Sequence, residues 1–414
     1  LMTSNKYIFK KISIFETFNF FLLAFYPLAL IVGNLFINIS ILLFSVSFFI
    51  NIKKNKVHLK QQVFYLMIFF FISLLVNLFF SSNFENSLPR VIKMFFIIIF
   101  VFEIQRLVQN DKFGFMKYVY LFWFIIFFIL SIDIVFEILI GHNMLGLASY
   151  MPGRIASFFG DELVVGSFYH GFILIFLSYL ILQKSNNYIL IVSIIIIFII
   201  SFYIGERSNF VRIIISLAIF TSLAVKVNYK IKIFLILLVL TVISTIINFN
   251  DNYKLRYFYQ INNLLSVNGY SQYMKESQYG AHRNAAIKMF KENLYFGVGI
   301  KNFRYEVWDK KYENKEYTQT NRRYATHPHQ IHHELLSETG IVGYFSFLIF
   351  ILFSLYLAIN SFLKTKNLYQ LSGIIFIFTS ILPILPSGSF MSTFTSGIFW
   401  FNFALMASSI KTKF

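Results

Sequence analysis

The feature that most constrains this chain is a succession of apolar runs. Each run is close to the ~20 residues that a helix needs to cross the hydrocarbon core of a bilayer. Hydrophobic residues make up 57% of the 414 residues and charged residues only 13%, whereas soluble domains carry roughly 25% charged residues. The sequence therefore predicts an all-α fold, a polytopic transmembrane helical bundle, and excludes a soluble protein.

About twelve spans are predicted from these runs. Pro383 and Pro386 should distort the end of the eleventh span, because proline cannot continue a helix. The predicted spans are 14–33, 35–51, 62–80, 90–108, 115–140, 163–183, 188–204, 208–226, 232–249, 334–360, 369–386 and 391–410.

One connection between the predicted spans is much longer than a turn. The chain accordingly divides into 1–248 with nine spans, 249–333 as one large loop, and 334–414 with the last three spans. A loop of this length is expected to be functional and partly helical. Its helix is predicted from an apolar stripe at helical spacing that includes Ala286 and Met289.

The distribution of Lys and Arg predicts the orientation. Eighteen of these residues fall in loops and span ends on one side, and only five fall on the other side outside the long loop. Because cytoplasmic loops carry the excess of Lys and Arg, both termini are predicted to be cytoplasmic and the long loop extracytoplasmic. The net charge of +18 is then explained by topology, with membrane lipids and no nucleic acid as expected partners.

Cysteine is absent from the sequence. Disulfides, cysteine-based metal sites and thiol nucleophiles are therefore excluded.

Histidines are concentrated at the end of the long loop, in the stretch YATHPHQIHHELLSETGIVG. Four of the eight histidines of the chain lie here, and the sequence turns apolar immediately afterwards. Pro328 suits the first turn of a helix, which would place His329 in that turn. Three interpretations remain open at this point: a metal site using His329 and His333 on one helix face, a structural interfacial cluster, and a general base.

Arginines near the predicted outer ends of the helices are the second candidate group. Arg207 and Arg212 come at the start of the eighth span, where arginine is costly and is a candidate for function. They could instead snorkel to the interface or pair with Glu206. Arg154 and Arg283 lie in loops and would be surface charges if isolated. Together with Arg207 they would form a cationic cluster suited to diphosphate oxygens.

Three features of the sequence resemble the O-antigen ligase and O-antigen polymerase superfamily of bacterial envelope glycosyltransferases. The stretch HPHQIHHELLSETGIVG is similar to that family's His-Xaa-His-Asn…Leu…Glu-Thr-Gly-Xaa-Xaa-Gly signature. HRNAAIKMFKENLYFGVGIKNF resembles its arginine-containing loop helix followed by Gly-Xaa-Gly. The family architecture of about twelve spans with one large periplasmic loop before the last three is also similar.

The resemblance implies roles for individual residues. His329 matches the signature histidine that acts as general base, and Arg207 and Arg283 match the arginines that hold the donor diphosphate. Arg154 is a weaker match, and His327 is an expected substrate contact. Gln330 stands where the family usually has asparagine and is likewise an expected substrate contact.

Arg212 joins these residues as a candidate for substrate binding because of its place near the bilayer. His332 and His333 are expected to serve packing.

The function that the resemblance implies is transfer of a glycan from undecaprenyl diphosphate to a lipid A-core acceptor, on the periplasmic face of the bacterial inner membrane. The enzyme would be an inverting, metal-independent glycosyltransferase without a cofactor. Two alternatives remain: an O-antigen polymerase that joins lipid-linked repeat units, and a lipid or solute transporter. Asp133 and Glu137, within the fifth span, are the acidic residues that a transporter could use.

Overall fold

The structure, a computed structural model, describes residues 14–51, 62–111, 114–160, 162–225 and 251–410, with isolated positions between 237 and 249. In this part of the chain all regular structure is helical, as predicted. The α-helices are α1 (Ile14–Val32), α2 (Asn34–Ile50), α3 (Gln62–Phe79), α4 (Phe84–Gln109), α5 (Met116–Ile140), α6 (Val165–Leu182), α7 (Asn187–Tyr203), α8 (Arg207–Ala224), α9 (Asp251–Tyr253), α10 (Gln260–Leu265), α11 (Gly269–Glu276), α12 (Gln278–Glu292), α13 (Phe303–Glu306), α14 (Ile331–Thr365), α15 (Leu368–Ser380) and α16 (Thr393–Ala407).

Shorter helical turns connect some of these elements. They are the 3₁₀ turns Ser157–Phe159, Lys310–Tyr312 and Thr320–Arg322 and the π-helical segment Lys254–Tyr259.

Five of the described helices, α3, α5, α6, α8 and α14, are long and apolar enough to cross a membrane by length and composition. Five further apolar helices, α1, α2, α7, α15 and α16, are shorter. The ninth predicted span, 232–249, lies largely outside the described residues, so the number twelve stays a prediction. Helix α15 ends at Ser380, before the two prolines that were predicted to distort the end of this span.

The helices pack through aromatic side chains. Helix α14 lies against α3, where the Phe70 ring is 5.6 Å from that of Phe347 and 5.8 Å from that of Phe350. Tyr26 of α1 stacks on Phe401 of α16 at 5.1 Å. Because lipid tails are as apolar as these rings, such close packing rather than hydrophobicity holds helices together in a membrane.

Helix α14 is broken at Gly340, which has φ 62° and ψ −166°. The break frees two backbone N–H groups, and the preceding loop accepts both hydrogen bonds. Ile341 donates to the Leu294 carbonyl at 2.9 Å and Val342 donates to the Tyr295 carbonyl at 3.1 Å. A Cβ on Gly340 would lie 2.4 Å from the Tyr295 carbonyl group, so glycine is required by both conformation and space.

The long loop also donates two backbone hydrogen bonds to carbonyl groups of α14 just before the break. Val298 donates to the Ser337 carbonyl at 2.9 Å, and Gly299 donates to the Glu338 carbonyl at 2.8 Å. Gly297, at φ 66°, lets the loop pass directly over the Glu338 backbone. The Gly-Val-Gly bend and the Glu-Thr-Gly motif are therefore two halves of one joint that fixes the long loop onto α14.

The long loop has a small apolar core of its own. Helix α12 ends at Glu292 with Asn293 as its C-cap, which confirms the helix that was predicted from the apolar stripe. The buried members of this core are Ala285, Ala286, Met289, Val298, Phe303, Val307 and Tyr312. This core gives α12 a fixed position beside the bundle.

Two acidic side chains in α5 hold the segment between α5 and α6. Asp133 accepts a hydrogen bond from the Met144 backbone at 2.8 Å, and Glu137 accepts one from the Ser157 backbone at 2.6 Å. Both carboxylates are buried and fully engaged. They therefore anchor the segment that carries Arg154.

Candidate active site

His329 lies just before α14 and not in its first turn. The helix begins at Ile331, with Gln330 as its N-cap, so the prediction that the helix begins at Pro328 is wrong. His329 itself has φ 56°, a left-handed conformation that is uncommon outside glycine. Its carbonyl accepts a hydrogen bond of 2.8 Å from the Ser387 backbone, which holds this conformation in place.

This position also removes the predicted pairing of His329 with His333. Residues four apart share a face only within a helix, and His329 precedes the helix that contains His333. Among the residues that the structure describes, no three His, Asp or Glu side chains are grouped to hold a metal ion.

Three aromatic rings surround His329 instead. The His327 ring centroid is 4.0 Å away, and the His282 ring stacks on His329 at 5.1 Å with an interplanar angle of 27°. The Tyr279 ring meets His329 edge-on at 5.6 Å. His282 and Tyr279 come from the first turns of α12, so the loop helix forms one wall of the site.

The histidines of this cluster are neutral at neutral pH. Burial, together with the neighbouring His327 and His282, lowers the pKa of His329 to about 3. Burial, together with the Lys301 ammonium, lowers the pKa of His327 to about 4. His282 also has a pKa below its ordinary value because of burial. A neutral imidazole keeps a lone pair that can accept a proton.

Hydrogen bonding fixes the tautomer of His282. Its Nε2 lies 2.9 Å from the Arg322 carbonyl, so Nε2 carries the proton and donates it. Nδ1 of His282 is then an acceptor, and this buried atom has no hydrogen-bond partner in the described chain. His327 likewise keeps Nε2 without a partner, while its Nδ1 meets the Thr326 hydroxyl at 3.0 Å.

The histidine cluster opens into a cleft of about 470 Å³ between α12 and the loop that precedes α14. This volume lies within the ~300–1,000 Å³ that is usual for ligand sites. The wall is mainly polar, which suits a sugar. Its lining residues are Gln278, His282, Asn321, Arg322, Tyr324, Ala325, Thr326 and His329.

Arg283 is the predicted arginine that lies nearest to this cluster in the chain. It follows His282 in α12, is half-buried, and interacts electrostatically with His333. Its buried Nε has no hydrogen-bond partner. A half-buried guanidinium with a free donor is suited to receive an anionic ligand.

Arg207 is the first residue of α8 and is also half-buried. It interacts electrostatically with Tyr273 of α11, so the long loop comes close to it. Gly205, at φ 75°, packs so tightly on Gly153 that a Cβ would be 2.0 Å from the Gly153 carbonyl oxygen. The chain before Arg207 is thus clamped against the α5–α6 segment.

Arg154 is already paired. Its guanidinium lies 3.1 Å from the Glu206 carboxylate and donates to the Leu163 carbonyl at 3.0 Å. Glu206, the alternative partner for Arg207 or Arg212, binds Arg154 and Asn209, and it also attracts Arg212 electrostatically. Arg154 therefore joins two segments next to Arg207.

Arg212 is buried and tied to its neighbours. It donates to Asn209 at 3.0 Å and to the Pro386 carbonyl at 2.7 Å. The next residue, Ser387, holds the His329 carbonyl. Arg212 thus supports the loop that supports His329.

Gln330 and His332 form hydrogen bonds within the protein. The Gln330 oxygen accepts from the His333 backbone at 2.9 Å, and its nitrogen donates to the Pro383 carbonyl at 2.8 Å. His332 lies 2.8 Å from the Ile381 carbonyl and 3.1 Å from the Tyr344 hydroxyl. Both residues fasten the start of α14 to the segment after α15.

Sequence reasoning missed two parts of this region. His282 and Tyr279 line the site, and the only signal for them was their position beside Arg283 in a helix. The buried Lys301 ammonium lies 3.9 Å from the Glu334 carboxylate and donates to Ser389. No local pattern joins residues so distant in sequence.

The comparisons with known proteins address this same region. Residues 170–348 match the family model described as O-antigen ligase. Residues 170–348 are therefore similar to an O-antigen ligase domain. The match supports the predicted O-antigen ligase and polymerase superfamily, and with it a glycosyl-transferring membrane enzyme of lipopolysaccharide biosynthesis. A comparison with curated protein sequences gives no match.

The matched segment contains most of the site. It includes Arg207, Arg283 and His329 together with the joint at Gly340, whereas Arg154 lies before it. The matched segment begins within α6 and ends within α14. The residues that the structure brings together around His329 are thus residues of this segment.

Proposed function

We propose that this protein is a periplasmic-face glycosyltransferase that moves a glycan from undecaprenyl diphosphate to a lipid A-core acceptor. The observation that carries the proposal is a neutral His329, opening into a polar cleft inside a segment similar to an O-antigen ligase domain. The histidine segment meets Arg283 at the same end of the bundle. A base beside a cationic group is the pair that this transfer requires.

The proposed chemistry is a single inverting displacement. The acceptor hydroxyl oxygen attacks the anomeric carbon of the donor glycan, and the bond between that carbon and the diphosphate oxygen breaks. His329 takes the proton of the hydroxyl. The lipid diphosphate leaves with the bonding electron pair, and Arg207 and Arg283 stabilise the negative charge that develops on it.

The low pKa of His329 is compatible with this role. Burial and neighbouring imidazoles disfavour its charged form. A bound diphosphate would bring negative charge close to the ring, and an opposite charge nearby raises the pKa of a histidine. The base would therefore be strongest when the donor is bound.

The remaining predicted residues take supporting roles in this proposal. Arg154 holds the segment beside Arg207 through Glu206, and Arg212 holds the loop that bonds His329. Gln330 caps α14. His327 is next to the base and is proposed to contact the acceptor or to orient the His329 ring. No metal ion or cofactor is included in the proposed mechanism.

The O-antigen polymerase is the nearest alternative, because it uses the same donor and differs only in its acceptor. The histidine signature favours the ligase. A transporter is less well supported, since Asp133 and Glu137 have backbone hydrogen-bond partners that account for them.

Lipopolysaccharide banding of a deletion strain tests the proposal. Loss of O-antigen from lipid A-core, with accumulation of polymerised lipid-linked chains, is the result that the ligase predicts. A single repeat unit on lipid A-core would assign the polymerase instead. An unchanged banding pattern would contradict both.

A further inference from the structure

A second group of basic side chains lies at the same end of the bundle and takes no part in the proposed chemistry. Arg90 and Lys93 are one turn apart near the start of α4. Lys301 and Arg304 come from the loop that follows the Gly-Val-Gly bend. We call these four residues the α4 cluster.

Hydrogen bonds fix the two halves of the α4 cluster against each other. Ser87 donates to the Ile300 carbonyl at 2.8 Å, and Asn302 donates to Ser81 at 2.7 Å. The Ser82 backbone donates to the Val298 carbonyl at 3.0 Å. The loop that carries Lys301 and Arg304 is thus bound directly to the first turns of α4.

The charges of the α4 cluster are not balanced. Its four cations face two buried carboxylates, Glu334 and Glu338, which leaves an excess of two positive charges. Glu334 is engaged by Lys301, Ser389 and the Phe390 backbone. The α4 cluster therefore keeps an excess of positive charge.

Glu338 attracts Arg90 electrostatically, and Lys93 donates a hydrogen bond to the Thr393 hydroxyl at 2.9 Å. Arg90 and Arg304 are the two cations of the cluster without a hydrogen-bonded partner among the described residues. Both are half-buried, and they repel each other electrostatically. Within the described residues neither guanidinium forms a hydrogen bond or an ion pair, and the buried Nε of Arg304 has no partner. Two adjacent, unpaired arginine forks provide the donors that bind phosphate oxygens bidentately.

The surroundings of the α4 cluster indicate a lipid-anchored ligand. Ile92 is 48% exposed and Phe95 is 42% exposed on the same helix, next to Arg90 and Lys93. A ligand with a phosphate head and an acyl or prenyl tail would place its head on the arginines and its tail along these side chains. A soluble anion would make no use of the apolar surface.

The α4 cluster also flanks the histidines on another side. Lys301 and Arg304 both act electrostatically on His327, whereas Arg283 acts on His333. Transfer between two lipid-anchored substrates needs a place for the anionic head of each. The histidine segment lies between two basic groups that meet this need.

We infer that Arg90, Lys93 and Arg304 bind a phosphate or diphosphate group of the lipid-anchored acceptor, while Arg207 and Arg283 hold the donor. The assignment of this ligand as the acceptor rests on the proposed function. The existence of a second lipid-phosphate site can be tested without measuring glycan transfer.

The test is lipid binding to purified protein in detergent, with two double variants. Arg90→Gln/Arg304→Gln removes the unpaired forks of the α4 cluster, and Arg207→Gln/Arg283→Gln removes the donor arginines. Lys291→Gln/Lys310→Gln removes two exposed charges of the same loop and serves as the charge-matched control. The probes are lipid A with two phosphates, dephosphorylated lipid A, and geranylgeranyl diphosphate.

The inference predicts that Arg90→Gln/Arg304→Gln lowers the affinity for one phosphorylated lipid at least about tenfold. This is the effect of losing one or two charged hydrogen bonds. The donor double variant and the charge-matched control should retain that binding. If the affected probe is lipid A, the acceptor is of the ligase type. If geranylgeranyl diphosphate still binds the donor double variant and loses binding in the α4 variant, the acceptor is a second lipid diphosphate.

Three results would overturn the inference. One is an equal loss of affinity for dephosphorylated lipid A in Arg90→Gln/Arg304→Gln, which would mean that phosphate is not recognised. Another is equally effective competition by inorganic phosphate alone, which would assign a soluble anion site. The third is a lower melting temperature of ligand-free Arg90→Gln/Arg304→Gln, since removing two mutually repelling charges should leave stability unchanged or higher. Failure of glycan transfer with intact binding would sink the proposed function and leave the second site standing.

Discussion

At the scale of single residues, the site depends on a neutral imidazole and on guanidinium groups kept available. Burial and neighbouring rings keep His329 uncharged, and its left-handed backbone turns it away from the helix that follows. Arg154 and Arg212 use their forks within the protein, whereas Arg283 has no internal hydrogen bond or ion pair in the described chain. The division between supporting and available arginines follows from these contacts.

Substitution of Arg207 tests whether binding of the donor diphosphate requires the forked guanidinium group. Replacing it by lysine keeps the charge but loses the planar, bidentate geometry. We expect Arg207→Lys to lose at least about tenfold in transfer rate, approaching the loss in Arg207→Gln. The measurement is the initial rate with lipid-linked donor, with melting temperature as the control for folding. Wild-type rates in the lysine variant would show that a point charge suffices.

The histidine cluster predicts a specific pH dependence of stability. His327 and His329 have folded-state pKa values of about 4 and about 3, below the ~6.5 of an unfolded chain. Between these values the unfolded state binds more protons, so stability is complete above about pH 6.5 and falls as the pH drops towards 4. We expect the melting temperature to fall over this window, and to fall less in His327→Gln/His329→Gln. Equal slopes in both proteins would contradict the prediction.

At the scale of elements, the joint between the loop and α14 decides where the site is assembled. Gly340 breaks the helix, and four backbone hydrogen bonds connect the break to residues 294–299. Both halves of this joint were recognisable as glycine motifs in the sequence. Their contact was not predictable, because nothing local indicates that one motif satisfies the broken backbone of the other.

Substituting Gly340 should therefore be severe. In Gly340→Ala the Cβ would lie 2.4 Å from the Tyr295 backbone, in a conformation that is nearly restricted to glycine and costs other residues about 1–3 kcal/mol. We expect loss of folded protein or a melting temperature lowered by several degrees. Gly146→Ala is the matched control, since Gly146 has φ 81° and no atom within 4 Å of an added Cβ. Equal effects of the two substitutions would mean that the joint contributes nothing beyond backbone strain.

At the scale of the whole molecule, hydropathy predicted most helices well and the site only in part. Apolar runs identify helices because each must satisfy its own backbone in lipid. The same runs could not show that Asp133 and Glu137 anchor a loop or that His282 stacks on His329. The start of α14 was misplaced because Pro328 suits a helical first turn, whereas the side chain of Gln330 supplies the actual cap.

The predicted topology can be tested directly because the chain has no cysteine. Glu316→Cys places a thiol on an exposed position of the long loop, and Lys364→Cys places one near the other end of α14. We expect a membrane-impermeant maleimide to label Glu316→Cys in intact spheroplasts and to label Lys364→Cys only after lysis. The reverse pattern would invert the orientation and remove the periplasmic site.

The central claim is that His329 is the base for glycan transfer. Its most direct test is the rate of transfer from undecaprenyl diphosphate-linked glycan to lipid A-core by purified wild-type and His329→Ala protein. His142→Ala is the control, because His142 is an exposed histidine outside the cleft. We predict that His329→Ala lowers the rate by on the order of 100-fold or more, as expected for loss of a general base, with an unchanged melting temperature and normal activity in His142→Ala. Wild-type activity in folded His329→Ala would contradict the account.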